Sequence, residues 1–247
     1  MNRDRLKDAS SESAGGLRPW SKDWKQYWNE PLSWPRRTGR GRWDTKTHSK
    51  TWKAIHVDPS QSALVLVDVD KEAYDMYIED FGRYDPVQGK RLRQRIYQTV
   101  VPNTIRLVDF FRSHERPVIF IQWDWHRYQY PPLEPLQGEP VVYKSATGAF
   151  NASRIDAVLR RSEISTVFFL GADTSFCLES TVRGAVDCAY RAIVVEDGCV
   201  SCLQQLHDST LLTLGWHLAF ITTTSQVIEH YPWENLHGVA HPLQGTQ

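Results

Sequence analysis

The alternation of short apolar runs with helical segments constrains the fold of this chain more than any other sequence feature. Five runs have the length and composition of strands buried on both faces: Ala63–Val67, Pro117–Trp123, Thr166–Gly171, Ala192–Glu196 and His217–Thr222. Helical segments lie among them: Pro102–His114, Ser153–Arg161, Cys177–Tyr190, Leu203–Leu214 and a short helix starting at Val227. This order predicts an α/β fold, a three-layer α-β-α arrangement in which helices flank a mostly parallel central sheet.

A basic, tryptophan-rich arm precedes the predicted domain. Residues 1–53 contain 13 Lys/Arg, 6 Asp/Glu and six of the ten tryptophans, without a sustained helical or strand period. We therefore divide the chain into an arm at residues 1–56, a folded domain at 57–230 and a C-terminal tail at 231–247. The first ~15 residues of the arm are predicted to be disordered, and the tryptophans of the arm are expected to pack on the domain or on a neighbouring subunit.

Composition and charge narrow the class of protein. Lys+Arg and Asp+Glu both number 29, so the overall charge does not point to an acidic or basic partner. No apolar run approaches the roughly 20 residues that span a bilayer, and the polar N-terminus lacks the apolar core of a secretory signal. We expect a cytoplasmic protein with no membrane partner, whose cysteines (Cys177, Cys188, Cys199 and Cys202) are reduced thiols.

Candidate reactive residues follow the predicted strands, where parallel sheets bind their ligands. Asp68 ends the first strand, and the loop after the third strand leads into a helix that begins at Cys177. The unpaired N–H groups and positive dipole of a helix N-terminus favour thiolate, the nucleophilic form of cysteine. The alternatives are a buried, inert thiol at Cys177 and a turn or cap residue at Asp68.

Three segments, in order along the chain, resemble the isochorismatase-like cysteine hydrolases. GADTSFCLESTVRGA (Gly171–Ala185) resembles the signature loop of that superfamily, ALVLVDVDKEAYD (Ala63–Asp75) its opening strand and VVYKSATGAF (Val141–Phe150) its lysine segment. The superfamily includes nicotinamidases, N-carbamoylsarcosine amidase, biuret hydrolase and ureidoacrylate amidohydrolase. The resemblance implies a fold of the isochorismatase type over residues 57–230.

The resemblance also implies roles for individual residues. Cys177 corresponds to the nucleophile, Asp68 to the carboxylate that accepts its proton, and Lys144 to the third member of the triad. A cis peptide bond is implied between Ala172 and Asp173, and the backbone N–H groups of Asp173 and Cys177 are implied to form an oxyanion hole. The implied reaction is hydrolysis of a C–N bond in a small amide, carbamoyl or ureido compound through a thioester, without a cofactor.

Other residues near the strand ends are candidates for binding substrate or metal. Asp70 stands where the superfamily usually has Gln and adds a second carboxylate. Asp124 and His126 resemble the start of a nicotinamidase metal site, but no other His lies between His126 and Lys144, so we expect no metal. The candidates for substrate binding are Tyr74, Trp125, His126, Phe150 and Phe176. Core or interface packing is the alternative for Trp125, Phe150 and Phe176, and hydrogen bonding within the loop is the alternative for His126.

Two other functions compete with hydrolysis. The interleaved Arg/Lys and Trp residues of the arm are compatible with nucleic-acid binding, although packing at a subunit interface is the favoured interpretation. A catalytically silent scaffold or thiol sensor is the third hypothesis. From the superfamily we expect a homodimer or homotetramer whose ligand is a small-molecule amide or ureide.

Overall fold

The computed structural model describes residues 54–124 and 133–239. Its strands are β1 (Ala54–Ile55), β2 (Ser62–Val67), β3 (Val118–Trp123), β4 (Val141–Lys144), β5 (Thr166–Ala172), β6 (Arg191–Val200), β7 (Ala219–Thr222) and β8 (Leu236–His237). Its α-helices are α1 (Lys71–Tyr84), α2 (Pro86–Arg95), α3 (Val101–Ser113), α4 (Ile155–Arg161), α5 (Glu179–Asp187), α6 (Gln204–His217) and α7 (Thr224–Glu229).

Six strands form one parallel sheet in the order β4-β3-β2-β5-β6-β7. All residues of β2 and β5 are buried, as expected for strands covered on both faces. Because crossovers between parallel strands are right-handed, the helices that follow β2 and those that follow β5 and β6 lie on opposite faces. The predicted three-layer fold is therefore confirmed.

The strand order reverses direction between β2 and β5. From β2 the chain moves outward through β3 to β4, and it then returns to β5 and moves the other way to β7. The neighbouring strands β2 and β5 therefore form the topological switch point, beyond whose carboxyl end open α/β sheets bind their ligands. Asp68 and Cys177 follow these two strands.

The C-terminal segment contributes to the core. Trp233 is fully buried, and its ring centroid lies 4.7 Å from that of Phe168 and 5.6 Å from that of Phe111. The N–H of Val57 donates to the carbonyl of Trp233 over 2.9 Å, and β1 pairs with β8 in an antiparallel ladder. Ordered elements thus lie on both sides of residues 57–230, the range that the sequence analysis predicts for the folded domain.

Several elements were not predicted or begin elsewhere. The sequence analysis predicts neither α1 nor α2. The helix α2 (PVQGKRLRQR) is mostly polar and buries little more than Gly89 and Leu92, so it lacks the apolar pattern of a buried helix. The edge strand β4 lies in the segment in which the sequence analysis identifies Lys144 but predicts no strand. The helix expected to start at Cys177 instead begins with a π-helical turn at Thr174–Leu178 and continues as α5. Among the described residues, no helix has the length and hydropathy needed to cross a bilayer.

Gly171 allows β5 to approach β2 closely. Its φ is +126°, and a Cβ at this position would overlap the carbonyl oxygen of Val67, its partner in the ladder. Gly138 also has a positive φ, +96°, but within the described residues no atom lies within 4 Å of a Cβ built there. At Gly171 both the positive φ and the lack of space for a Cβ require glycine, whereas at Gly138 only the positive φ favours it.

We predict that Gly171→Ala destabilises the protein more than Gly138→Ala does. The loss in unfolding free energy at Gly138 is about 1–2 kcal/mol, the cost of a left-handed alanine. At Gly171 the displacement of backbone adds about 1–3 kcal/mol to that cost. Urea denaturation of the two variants measures both losses, and equal losses would contradict the close approach of Gly171 to Val67.

Candidate active site

Asp68 is held at the carboxyl end of β2 in a left-handed conformation. Its φ is 49°, a region in which Asp is enriched among residues other than glycine. Its N–H donates to the carbonyl of Ile121 over 2.9 Å, so the residue still continues the ladder with β3. The side chain is buried. The backbone turn therefore directs a carboxylate to the switch point of the sheet.

Cys177 lies in the π-helical turn that follows β5, and the side chain of Asp173 organises this turn. Asp173 Oδ1 accepts hydrogen bonds from the N–H of Ser175 over 2.8 Å and from Ser201 Oγ over 2.5 Å, while Oδ2 accepts from the N–H of Cys202 over 3.0 Å. These bonds join the turn to the residues that follow β6. Cys177 is buried, and its position is thus fixed by two strand ends.

Lys144, the last residue of β4, brings the three segments together. Its side chain is fully buried, and its Nζ lies 3.0 Å from Asp68 Oδ2 and 3.4 Å from Cys177 Sγ. The same ammonium lies 3.4 Å from the centroid of the Trp123 ring, in cation–π geometry. The sequence-predicted residues Asp68, Lys144 and Cys177 therefore form one buried cluster.

The environment of Cys177 favours the neutral thiol. Burial raises the pKa of the Cys177 thiol, and the neighbouring Asp68 carboxylate raises it further, while Lys144 acts in the opposite direction. This result differs from the thiolate that the helix N-terminus led us to expect. A negative sulfur beside a negative carboxylate in a buried cluster is disfavoured, so ionisation of the thiol requires that the proton move to a nearby acceptor.

A cavity of about 190 Å³ adjoins this cluster. Its polar lining consists of Asp68, Asp70, Gln122 and Cys177, and the other lining residues are Ala73, Met76, Tyr77, Trp123, Ala172 and Phe176. The volume is below the range of about 300–1,000 Å³ that is typical of pockets for drug-sized ligands. The cavity suits a small molecule with an apolar part.

Asp70 has a structural role in this cavity wall. It is the N-cap of α1, where its Oδ1 accepts hydrogen bonds from the N–H of Glu72 over 2.7 Å and of Ala73 over 3.3 Å. A carboxylate suits this position because it satisfies unpaired N–H groups and the helix dipole. The acidic residue found where the superfamily usually has Gln therefore begins the helix that forms one wall of the cavity.

The structure places two predicted substrate-binding residues away from the cavity. Tyr74 is fully buried, because Ala73, Met76 and Tyr77 at helical spacing form the cavity face of α1 and Tyr74 lies on the adjoining core face. Phe150 packs against Tyr190, with ring centroids 5.7 Å apart. Both assignments are corrected to core packing.

Other predicted site residues lie at or near the cavity, or outside the described residues. Phe176 lines the cavity with 54% of its surface exposed. The peptide bond between Ala172 and Asp173 is cis, as the resemblance implied. Trp125 and His126 lie outside the described residues, as does the arm up to residue 53.

Gln122 and Trp123 line the cavity but were missed as site residues. They lie at the end of β3, immediately before the Asp124-Trp125-His126 segment, which resembles the start of a metal site. For Gln122 and Trp123, the signal available in the sequence was their position at the end of a predicted strand, on the edge of the sheet where ligands bind. Asp124 is exposed, and within residues 54–124 and 133–239 no group of three His, Cys, Asp or Glu side chains is arranged to hold a metal ion.

Comparison with known proteins agrees with this fold. The model of the isochorismatase domain matches residues 62–226, more than half of the chain. The isochorismatase family protein YwoC of Bacillus subtilis, described as uncharacterized, is 25% identical over 201 residues, which are 71% of this chain and 96% of the relative. A ureidoacrylate amidohydrolase of Variovorax paradoxus, RutB, is 35% identical over 186 residues, with 58% of this chain and 69% of the relative covered.

Solved structures show the same fold. A cysteine hydrolase from Pseudomonas syringae superposes with a TM-score of 0.60 at 19% identity, over 73% of this chain and 97% of that one. An isochorismatase from Pseudomonas putida gives 0.56 at 22% identity, over 69% and 92% of the two chains. The fold and the domain match define a hydrolase with an isochorismatase-type α/β fold. The chain belongs to the isochorismatase family.

We predict that the buried pair of Lys144 and Asp68 is strongly coupled in stability. Lys144→Met leaves the buried carboxylate without its ammonium and lowers the unfolding free energy by about 3–5 kcal/mol. In the double variant with Asp68→Asn, part of this loss is recovered, because no buried charge is left uncompensated. Urea denaturation of the two single variants and the double variant measures the coupling.

Lys71 provides the control for this experiment. It pairs with Asp75 on the surface of α1, and half of its side chain is exposed. Lys71→Met is expected to change the unfolding free energy by less than about 1 kcal/mol. Strict additivity of Lys144→Met and Asp68→Asn would contradict a direct interaction between the two buried groups.

Proposed function

We propose that this chain is a cysteine-dependent amidohydrolase that cleaves a C–N bond of a small amide, carbamoyl or ureido compound through a thioester on Cys177. The observation that carries the proposal is the buried cluster in which Lys144 Nζ lies 3.0 Å from Asp68 Oδ2 and 3.4 Å from Cys177 Sγ, at the wall of the cavity. A nucleophile, a proton acceptor and a fixed positive charge are what acyl transfer from an amide requires.

In the proposed acylation step, Asp68 takes the proton of the Cys177 thiol as the sulfur attacks the substrate carbonyl carbon. The C–S bond forms and the carbonyl π electrons move to oxygen, where the backbone N–H groups of Asp173 and Cys177 are proposed to stabilise them. Collapse of the tetrahedral intermediate breaks the C–N bond. The proton on Asp68 passes to the leaving nitrogen, which departs as ammonia or an amine.

In the proposed deacylation step, water enters the position left by the amine. Asp68 accepts a proton from this water as its oxygen attacks the thioester carbon, and the C–S bond breaks. The sulfur recovers a proton from Asp68 and the product leaves as an acid. Lys144 remains an ammonium throughout, and it stabilises whichever of the two neighbouring groups carries the negative charge.

The relatives support the class of bond that is proposed. Among them are Nicotinamidase 3 of Arabidopsis thaliana, 27% identical over 94 residues, and the ureidoacrylate amidohydrolase RutB, and both names describe hydrolysis of C–N bonds. A cavity of about 190 Å³ with apolar and polar walls is compatible with small amides. The expected homodimer or homotetramer stays a prediction.

We predict that Cys177→Ala abolishes turnover and the covalent intermediate. A panel of small amides, carbamoyl compounds and ureides is assayed for released ammonia, and substrates that react are then examined by intact-protein mass spectrometry after acid quenching. Loss of the nucleophile should lower kcat by about 10⁴-fold or more. The wild-type protein should carry the acyl mass, and Cys177→Ala should not.

Cys188→Ala is the matched control, because Cys188 caps the C-terminus of α5 and does not line the cavity. This variant should keep both turnover and the acyl adduct. Turnover retained in Cys177→Ala, or an adduct that survives in it, would refute the proposed mechanism.

We predict that Asp68→Asn changes alkylation and turnover in opposite directions. Removal of the carboxylate eliminates a charge that raises the pKa of Cys177 and leaves Lys144, which lowers it. The thiolate fraction at neutral pH therefore increases, by about tenfold for each unit that the pKa falls, and iodoacetamide reacts faster. Turnover should fall by about a hundredfold or more because the proton acceptor is lost.

The alkylation rate is measured without substrate in the Cys188→Ala background, and adducts on other thiols are subtracted with Cys177→Ala. Slower alkylation of Asp68→Asn would show that the carboxylate does not hold the resting sulfur in its neutral form.

A further inference from the structure

A second cavity, of about 320 Å³, lies between α2 and the start of α6. None of the described residues that line it is acidic, and none of them lines the cavity of Cys177. Two of the lining residues are arginines, and most of the others are polar. We call it the arginine cavity, after a lining that includes Gln88, Arg91, Arg95, Ser201, Gln204 and Gln205.

The helix α2 provides the positive charge of the arginine cavity. Gln88, Arg91 and Arg95 are three and four residues apart, so they lie on one face of this helix. Arg95 Nη2 donates to the carbonyl of Glu196 over 3.2 Å and to that of Cys199 over 3.4 Å, which holds the guanidinium at β6. The polar character of α2, which gives no signal of a buried helix, thus places cations at a cavity.

The carboxylates near this cavity leave its positive charge without a direct partner. Glu196 interacts with Arg95 over a longer range, but it does not line the cavity. Within residues 54–124 and 133–239, no ion pair joins Arg91 or Arg95 to a carboxylate. Burial lowers the pKa of His207 in the cavity wall, and the charge of Arg95 acts in the same direction, to a value of about 4.

The donors that surround this charge match a phosphate group. Two guanidinium groups one helical turn apart present paired N–H groups, which bind the oxygens of phosphate in bidentate fashion. The Ser201 hydroxyl is a further donor at the wall. The helix α6 adds to the positive potential, because its dipole begins here and Leu203, its N-cap, has no side-chain acceptor for the first turn.

We propose that the arginine cavity binds the phosphate group of a small phosphate monoester, which acts as an effector on the turn that carries Cys177. A cavity of about 320 Å³ has room for a polar body besides the phosphate, and the Gln88, Gln204 and Gln205 amides at its wall can bind hydroxyl groups of that body. The proposal does not rest on the reaction proposed for Cys177.

Three residues of the arginine cavity contact the π-helical turn of the candidate active site. Ser201 Oγ donates to Asp173 Oδ1 over 2.5 Å, and the N–H of Cys202 donates to Asp173 Oδ2 over 3.0 Å. His207 Nδ1 lies 2.9 Å from Thr174 Oγ1. A ligand that fixes residues 201–207 therefore restricts the turn, and its negative charge disfavours a thiolate there.

The first test is protection of Cys202, which lines the arginine cavity and is partly exposed. Alkylation by N-ethylmaleimide is mapped by peptide mass spectrometry with glycerol 3-phosphate, glucose 6-phosphate or inorganic phosphate, at an ionic strength held constant with chloride. At an ester concentration ten times its Kd, modification of Cys202 should slow by about tenfold, because about a tenth of the sites remain free. Cys188, which is also partly exposed but does not line this cavity, should react at its original rate.

The same measurement identifies the source of the phosphate. At least one of the two esters should protect Cys202 at a lower concentration than inorganic phosphate does, and glycerol should not protect it. No protection by either ester at millimolar concentration, or stronger protection by inorganic phosphate than by both esters, would overturn the assignment to a monoester.

Arg91 and Arg93 provide a matched pair of variants. Both are exposed on α2, but only Arg91 lines the arginine cavity. Arg91→Gln should weaken binding of the protecting ester by about tenfold or more, as expected for a charge-assisted hydrogen bond. Arg93→Gln should change it by less than about twofold, since salt screens charges that do not contact the ligand. Equal affinities of Arg91→Gln and Arg93→Gln would overturn the site.

The effector role is tested at Cys177. A saturating concentration of the ester should slow iodoacetamide alkylation of Cys177 by about fivefold, at the lower end of typical coupling between sites. The concentration needed should rise in Arg91→Gln as the affinity falls. Slowing at the same concentration in that variant would place the ester in the cavity of Cys177, and protection of Cys202 without any change at Cys177 would reject the effector role.

Discussion

The buried ammonium of Lys144 is the interaction on which the rest of the site depends. A fully buried charge is costly unless it is paired, and here Asp68 compensates it at 3.0 Å while the Trp123 ring and the Cys177 sulfur each lie 3.4 Å away. These partners come from β2, β3 and the turn after β5. A displacement of any of the segments would expose or unpair the charge, so the electrostatics of one side chain stabilise the relative positions of four segments.

The sheet provides the positions in which this pairing is possible. The switch point between β2 and β5 places the ends of these strands side by side, and Gly171 lets the backbone of β5 approach Val67 more closely than any side chain would permit. The left-handed conformation of Asp68 then directs its carboxylate to the same edge. Backbone geometry therefore determines that a carboxylate and a thiol, separated by more than 100 residues in the chain, share one ammonium.

Sequence predicts those parts of this structure that depend on regular burial. The runs at β2, β3 and β5 are mostly apolar because both of their faces are covered, and their ends predict the edge where Asp68 and Cys177 lie. The polar helix α2 has no comparable pattern. Assignment of Tyr74 to the site failed because adjacent residues of α1 face in different directions, and a helix that is not recognised has no known cavity face. The protonation of Cys177 depends on distances that only the folded chain defines.

The fixed charge of Lys144 also explains how a neutral thiol is compatible with the nucleophilic catalysis proposed for Cys177. Transfer of a proton from Cys177 to Asp68 moves the negative charge from oxygen to sulfur without changing the net charge of the cluster. Because Lys144 Nζ lies 3.0 Å from the oxygen and 3.4 Å from the sulfur, it contacts the negative group before and after the transfer. The ion pair is thus preserved and little reorganisation is required, which is the property that makes fixed charges effective in buried sites. In the proposed reaction, a substrate carbonyl beside the sulfur would react with the thiolate as it forms, so a raised thiol pKa is compatible with attack by Cys177.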